Sequence, residues 1–486
     1  MLTCLVSSDA FVTISRTTDS GRQLFPCLTD LMRKSYKQAR EAGGAQNVGW
    51  VHDGNRMLLQ FALTNYRSFR DRKELKLRRP TVEVVKEFPE PGVAPAIAIF
   101  GPNSSGKTNL LRGLRDMFSM IRSSASEAEA GLPYTPFMLG DHDGQPTTFE
   151  VAVLLGGVRY EYGFTFDARR IQSEWLYSWP KNRQRLLFER NVDDEAWRFG
   201  EYLTGPNAQI ARSTRDDALF FSTARLLNHE DLTDLHAQFA RLIRHVSSEQ
   251  LPSVLQSTTD SLARDPERLR QVTQLMTRAE FGIVDLKIEE NQLGEEARET
   301  TRRLIQAIRP EATLEEIDSQ MKRTMLSLVV AHSGSNGPVP LPFSWESVGT
   351  RNFFALLGPI LDRLARGGVI VIDEIDTSLH PRLVSEVVRL FQSPDTNPKQ
   401  AQLVLSTHDV TVMMNTGDYK VLRRDQIWFT EKDEHGVSNL FSLWDLHPRA
   451  GEVFSRRYLL GDYGAVPPID YRDFAGLWQI EDGDSH

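Results

Sequence analysis

The stretch Ile97 to Leu111, IAIFGPNSSGKTNLL, decides the fold. It starts as a short apolar run, passes through a loop bounded by Gly101 and Gly106, and ends on Lys107, Thr108 and a segment with helical spacing. The pattern G-x-x-x-x-G-K-[ST] is met at every fixed position from Gly101 to Thr108. Strand, loop and helix in that order gather main-chain N–H groups and the positive end of a helix around one small concavity, which suits a di- or triphosphate. Gly101, Pro102, Asn103, Ser104, Ser105 and Gly106, with Lys107, Thr108 and Asn109, are therefore the candidate phosphate cradle. Lys107 is placed to reach the outer phosphates, and the Thr108 hydroxyl to bind Mg²⁺. A chance glycine-rich turn before a helix would look similar, so a second element is needed. It comes far downstream. Val369 to Glu374, VIVIDE, reads as a buried strand ending in two carboxylates, as a Mg²⁺-holding Asp373 and a water-polarising Glu374 require.

Composition sets the outer bounds. With 486 residues, 40% of them hydrophobic and 25% charged, the chain can bury a full core and a second lobe. No uninterrupted apolar stretch reaches the length of a membrane span, and the first residues lack a charged segment followed by an apolar one. A cytoplasmic protein without a membrane partner is expected. The formal net charge of −8 argues against indiscriminate nucleic-acid binding, although a local basic groove is compatible with it. The pairs Arg302-Arg303, Arg423-Arg424 and Arg456-Arg457 read as solvated faces. Both cysteines, Cys4 and Cys27, lie in the first segment, so neither a zinc-thiolate site nor a disulfide framework is expected in the body.

Residues 1–56 differ from the rest: Ser/Thr-rich, then weakly amphipathic and basic, then polar around Gly43-Gly44. They read either as a genuine arm or as an extension upstream of a natural start at Met57, and the second reading is the expectation. From Met57, MLLQFALTNYRSF opens an alternating strand and a polar turn. Thr147 to Phe166, TTFEVAVLLGGVRYEYGFTF, alternates on either side of Gly156-Gly157 as a hairpin does, and strand-like pieces follow at Ile171–Trp179 and Arg185–Glu189. Residues 57–230 are thus the first part of a nucleotide-binding head with an antiparallel β subdomain. Leu232 to Met276 and Glu295 to Ile308 carry helical periods, so residues 231–324 are expected to be a mainly helical insertion. Strand character returns at Ile283–Ile288 and Met325–His332. Pro252 and Pro266 break the apolar repeat and exclude a long coiled coil. Residues 325–486 complete the head.

Phe343 to Leu357, FSWESVGTRNFFALL, places a Ser-x-Gly-Thr turn, Ser347 to Thr350, at the start of an amphipathic helix. Such a turn is a second anion-grade site, of use on one γ-phosphate only if it serves another copy. It is equally an ordinary helix N-cap. After VIVIDE come DTSLHP (376–381) and the strand Gln402–Leu405, which runs into Ser406-Thr407-His408-Asp409. A lone His is more often structural, but His408 at the end of a core strand is placed to reach a γ-phosphate or the attacking water.

In order, GPNSSGKT (101–108), ESVGT (346–350), VIVIDE (369–374), SLHP (378–381) and STHD (406–409) resemble the ATP-binding-cassette-type ATPases whose heads occur in SMC and RecF proteins. The resemblance implies an α/β ABC-type P-loop NTPase head: a mixed central sheet with flanking helices and an antiparallel β subdomain, here with an inserted helical lobe. It also implies hydrolysis of ATP with Mg²⁺ in a head-to-head homodimer. Each ATP would lie between the phosphate loop of one copy and Ser347 and Gly349 of the other. By the same carry-over Thr108 and Asp373 hold Mg²⁺, Lys107 serves the phosphates, Glu374 is the catalytic carboxylate, His408 is the switch histidine, and Ser378 to His380 cross the dimer interface. Gln145 is the candidate for the glutamine loop, and the signature is shorter than the transporter form.

A narrower resemblance lies further on. RDQIWFTEKD (424–433) and YLLGDYGAVP (458–467) are similar to stand-alone bacterial AAA-family ATPases of anti-phage and abortive-infection loci, such as the RloA-like proteins. That implies a regulatory ATPase acting with a separately encoded effector, often a nuclease, and is compatible with assembly beyond a dimer. No acidic metal cluster follows Asp433, so nucleic-acid cleavage would belong to the partner. The alternative is a RecF-like or SMC-like repair or recombination ATPase that clamps DNA as its heads close. Direct binding of DNA or RNA is not read from the sequence.

Overall fold

Alternating burial along a few short strands joins two sheets through a common core. The computed structural model describes residues 56–467 except 78–91, 128–130, 141–143, 193–195, 280–281, 291–294, 314–315, 318–325, 378, 417–418 and 450. The readings of residues 1–55 and of Ser378 therefore lie outside the described residues.

In chain order, β1 (Arg56–Thr64) and β2 (Lys73–Lys76) form an antiparallel pair, and β3 (Ala96–Phe100) leads into the glycine-bounded loop and the helix Lys107–Ser123. Then β4 (Thr147–Leu155), β5 (Val158–Phe166), β6 (Ile171–Trp179), β7 (Arg185–Asn191) and β8 (Ala196–Phe199) run up and down. All but β3 join one antiparallel sheet of order β2-β1-β4-β5-β6-β7-β8. The expected hairpin is there. Gly156 and Gly157 form its two-residue turn with φ of 57° and 79°, and a type I′ turn needs both positive.

The helix Glu230–Leu242 is followed by β9 (Ile243–Val246), and the helices Leu251–Leu262 and Pro266–Arg278 come next. A small antiparallel sheet holds β10 (Ile283–Glu290), β11 (Leu326–Gly334) and β12 (Gly337–Pro342). After the helix Val348–Arg366 come β13 (Val369–Ile372), the helix Pro381–Gln392, β14 (Gln402–Ser406), a short pair β15 (Asn415–Thr416) and β16 (Tyr419–Lys420), then β17 (Ile427–Lys432) and β18 (Ser438–Ser442). The central sheet has the order β18-β17-β3-β14-β13-β9, parallel throughout except between β17 and β18. It is a mixed sheet, as expected.

The period of two sorts its side chains between two cores. Phe100, Ile370, Ile372, Leu403 and Leu405 face the core shared with the helices Val348–Arg366 and Pro381–Gln392. Ile97, Ile99, Val369, Val371 and Val404 face the other, shared with the helix Lys107–Ser123 and the antiparallel sheet. That helix buries Leu110, Leu111, Leu114, Met117, Phe118 and Ile121 along one face, at the spacing of an amphipathic helix. Gly113 lets it lie close on β1, because a Cβ there would come within 2.9 Å of the Leu63 side chain. The Gln402 side chain ties the sheets directly. The Gln402 amide donates to the Leu58 carbonyl (2.9 Å) and accepts from the Leu58 N–H (2.7 Å), where β1 bulges against β4.

The stretch Leu232–Met276, read as helical throughout, is interrupted. Ile243 and Val246 turn inward, and β9 pairs in parallel with β13 to form the edge of the central sheet. Four residues are too few for alternation to outweigh the helical period on either side; the partner strand decides. Pro252 and Pro266 open helices, each lying in a first turn where the missing N–H has no helical partner to lose. No helix among the described residues is long and apolar enough to cross a membrane.

Candidate active site

Parallel strands deliver their following loops to one edge, and here β3, β14 and β13 lie side by side with their C-terminal ends together. The loop after β3 is the glycine-bounded cradle, Asp373 and Glu374 follow β13, and His408 lies two residues beyond β14. The cradle thus meets two stretches that lie more than 260 residues further along the chain.

Both glycines of the loop are required by their surroundings. Gly101 has φ 152°, and a Cβ there would fall 2.2 Å from the Thr430 carbonyl; Gly106 has φ 118°, and its Cβ would fall 2.5 Å from Ser438 Oγ. Asn103 and Ser104 form the exposed tip, with Ser104 at φ 63°, and Pro102 is half-buried. Ser105 is buried with its Oγ 2.6 Å from Thr430 Oγ1. Its carbonyl lies 2.7 Å from Ser438 Oγ, which lies 2.7 Å from Ser68 Oγ, which accepts from the Asn109 amide at 2.8 Å. Each hydroxyl has one hydrogen, so the chain of donation runs from Asn109 through Ser68 and Ser438 to Ser105. The side chains of Ser105 and Asn109 are thereby tied to the sheet. What the loop can offer a ligand is main-chain N–H, together with the unpaired N–H groups of the first helical turn, Lys107 to Asn109.

Lys107 is buried beneath the loop. Its ammonium donates to the carbonyls of Gly101 (2.7 Å) and Pro102 (3.1 Å), leaving one of three donors. Burial pushes its pKa down, against the pull of Glu374, Asp373 and Asp376. Ser406 Oγ donates to Asp373 Oδ1 (2.5 Å) and accepts from the Glu374 N–H (2.7 Å), so one hydroxyl fixes both carboxylate-bearing residues. Glu374 has φ 54°, a left-handed conformation that costs about 1–3 kcal/mol in a residue with a side chain. Asp376 accepts the His408 N–H (3.0 Å) on one oxygen, while its Oδ1 is buried with no partner among the described residues. Burial and then Lys107 push the His408 pKa down, with Asp376 and Glu374 opposing. The imidazole is therefore neutral at neutral pH.

Ser347 caps the helix Val348–Arg366: its Oγ accepts from the Thr350 N–H (3.1 Å) and lies 2.8 Å from Thr350 Oγ1. The plain capping role is thus present, with Gly349 in the first turn. Trp345 and Val348 beside it are exposed, at 73% and 55%. His380 caps the next helix, its Nδ1 accepting from the Arg382 N–H (3.2 Å). Gln145 is an exposed loop residue before β4, its carbonyl taken up by Asn65 (2.6 Å) and Tyr134 (2.7 Å). Sequence reasoning passed over Asp376, Ser406, Thr430, Ser438 and Ser68. All but Ser438 lay inside stretches named above, but as ordinary polar residues with no local signal of a role in the site.

A glycine-bounded phosphate loop with its lysine, two carboxylates at the end of a parallel strand, and a histidine after the strand between them define the head of an α/β P-loop ATPase. Residues 96–415 match the model of the family described as "AAA domain, putative AbiEii toxin, Type IV TA system", and the chain belongs to that family. It is an ATP-hydrolysing enzyme of the AAA class, in an abortive-infection-type family. Among solved structures it is similar to the SMC head domain from Thermotoga maritima, at 13% identity over 79% of this chain and 98% of that one, with a TM-score of 0.37. The Smc head domain with an extended coiled coil bound to the C-terminal domain of ScpA, from Pyrococcus furiosus, is 12% identical over 84% and 99%, with a TM-score of 0.38. The recombination mediator protein RecF with ATP is 14% identical over 82% and 100%, with a TM-score of 0.32. At these identities and scores the likenesses carry no functional argument. No curated protein matches the chain.

Proposed function

We propose that this chain is the regulatory ATPase of an anti-phage, abortive-infection system, in which two copies sandwich ATP and the ATP cycle controls a separately encoded effector, a nuclease. The observation that carries the reading is the convergence of Lys107, Asp373, Glu374, Asp376 and His408 on one phosphate cradle, in a chain of an abortive-infection family.

The residues fit the chemistry. Lys107 keeps one donor for an outer phosphate, and the buried, partnerless oxygen of Asp376 marks a site with unspent polar capacity. Thr108 and Asp373 would hold Mg²⁺, a hydroxyl and a carboxylate being the hard oxygen donors that ion takes. When bound it neutralises charge on the phosphate oxygens. Glu374 orients the attacking water and takes up its proton, while neutral His408 hydrogen-bonds the γ-phosphate or that water. Ser347 and Gly349 of the second copy close the site from the exposed helix start beside Trp345. In this reading residues 57–230 and 325–486 form the head and 231–324 an insertion whose β9 completes the sheet.

Glu374→Gln tests the dimer and the chemistry together. With ATP it is expected to run as a dimer by light scattering and to turn over poorly, and adding Ser347→Arg should return it to a monomer that still binds ATP. Wild-type turnover by Glu374→Gln, or a monomer with ATP bound, would overturn the assignment. For the effector, the chain is tagged and purified with its neighbouring genes. A stoichiometric nuclease supports the defence reading; a lone chain whose ATPase rate rises with DNA replaces it with a repair role.

A further inference from the structure

Three helices end around one hollow at some distance from the cradle. The helix Lys107–Ser123 carries Arg122 in its last turn, Phe220–Leu226 carries Arg225, and Glu230–Leu242 carries Arg241. All three line a cavity of about 380 Å³, together with His236, Ser126 and Ser222. Among the described residues none of the three arginines is paired with a carboxylate. The acid that acts on Arg122 is Glu127, which also accepts a hydrogen bond from Ser123 Oγ (3.0 Å).

An arginine in the last turn of a helix is ordinary, since it offsets the negative end of the dipole. That accounts for each arginine alone. It does not account for three of them lining the same cavity in a chain of net charge −8, where burial first, and then Arg244 of the edge strand β9, push the Arg122 pKa down. Like charges gathered around a hollow repel even where Glu127 offsets part of the charge on Arg122, and an anion in the hollow lowers that cost. Of the neutral groups, Ser222 is set to donate, while the single N–H of His236 is spent within the fold. Ser222 Oγ accepts from the Ala125 N–H (3.2 Å), which leaves its own hydrogen available. His236 Nε2 donates to the Ile121 carbonyl (2.6 Å), and burial together with Arg225 holds the ring neutral.

We propose that this cavity is a binding site for a phosphate-bearing ligand, separate from the ATP cradle at the other end of the same helix. Three planar guanidinium forks supply more donors than one carboxylate can accept, and phosphate oxygens match that fork geometry. The volume suits a nucleotide or a nucleotide unit of a strand. The helix has 17 residues, so the two sites lie about 25 Å apart along it.

The test uses the full chain saturated with a non-hydrolysable ATP analogue, so that the cradle is occupied. Two probes are used: a fluorescein-labelled single-stranded 12-mer DNA, followed by anisotropy, and AMP, followed by calorimetry. The double variant Arg225→Ala/Arg241→Ala is expected to weaken at least one probe by about tenfold per arginine. It should keep its melting temperature and ATPase rate. Arg302→Ala/Arg303→Ala, which removes the same charge elsewhere, should leave both affinities unchanged. AMP binding, with displacement of the strand, identifies a free nucleotide as the source; binding of the strand alone identifies nucleic acid. The proposal is overturned if neither probe binds, if Arg225→Ala/Arg241→Ala binds as wild type, or if the control pair loses as much affinity.

Discussion

Glu174 on β6 and Lys107 beneath the phosphate loop are both buried charges, and they differ in how their hydrogen bonds are spent. Glu174 Oε1 accepts from Tyr162 Oη (2.9 Å) and the Phe221 N–H (3.0 Å), while Oε2 accepts from the Phe220 N–H (2.7 Å) and pairs with Arg190 (3.2 Å). Both oxygens are full, two of the donors being the first N–H groups of the helix Phe220–Leu226. Lys107 has only two loop carbonyls, with Asp373, Glu374 and Asp376 near enough to act on it without forming a pair, and Asp376 leaves an oxygen buried and empty. A carboxylate with both oxygens filled fixes the antiparallel sheet to its helix. The site around Lys107, where a carboxylate oxygen is left over, keeps capacity for an anion or ion at a cost in stability; in the first network the only group left over is a donor, Arg190 Nε, among the described residues.

The comparison breaks most sharply at Glu374. Glu374→Gln should cut ATP turnover by about 10²–10⁴-fold, the range for a lost catalytic base, with ATP binding retained in a filter or calorimetric assay. Next comes the closed network. Glu174→Ala strands Arg190 in the core and should cost about 3–5 kcal/mol in denaturant unfolding. Turnover per folded molecule should not change; if it does, the antiparallel sheet is more than a scaffold. Lys107→Ala should lower turnover by about 10²–10³-fold without a comparable loss of stability, since it removes an incompletely paired buried charge. The same variant should raise the His408 pKa, because Lys107 holds it down, and an NMR titration of the imidazole would show the shift.

The smallest effect concerns His236, whose burial holds its pKa below the ordinary 6.5. Well above pH 6.5 both states are unprotonated and its contribution is intact. As pH falls below that value the unfolded chain takes up a proton and the folded one does not, so stability declines. Melting temperatures from pH 7.5 to 5.5 should fall faster for the wild type than for His236→Gln, and equal slopes would refute the assignment.

What could be read in advance was what is local. The cradle sequence, the hairpin at Gly156-Gly157 and the buried VIVI run each state their geometry within a dozen residues. The wall of the cradle could not be read. Thr430 and Ser438 are ordinary strand residues, and they acquire a role only by meeting Ser105 across 325 and 333 residues of chain. The same holds for β9, which becomes a strand because β13 is there to pair with it. Asn109 shows the converse: its place beside the lysine suggested a ligand contact, and packing sent its side chain to Ser68 instead.

That long reach has a consequence in time. Chains leave the ribosome at about 5–20 residues per second, so roughly 15–65 s separate the emergence of the phosphate loop from that of the strands that hold it in shape. Throughout that interval the nascent chain carries the motif without its wall, and the loop takes its final shape only once synthesis has passed Ser438.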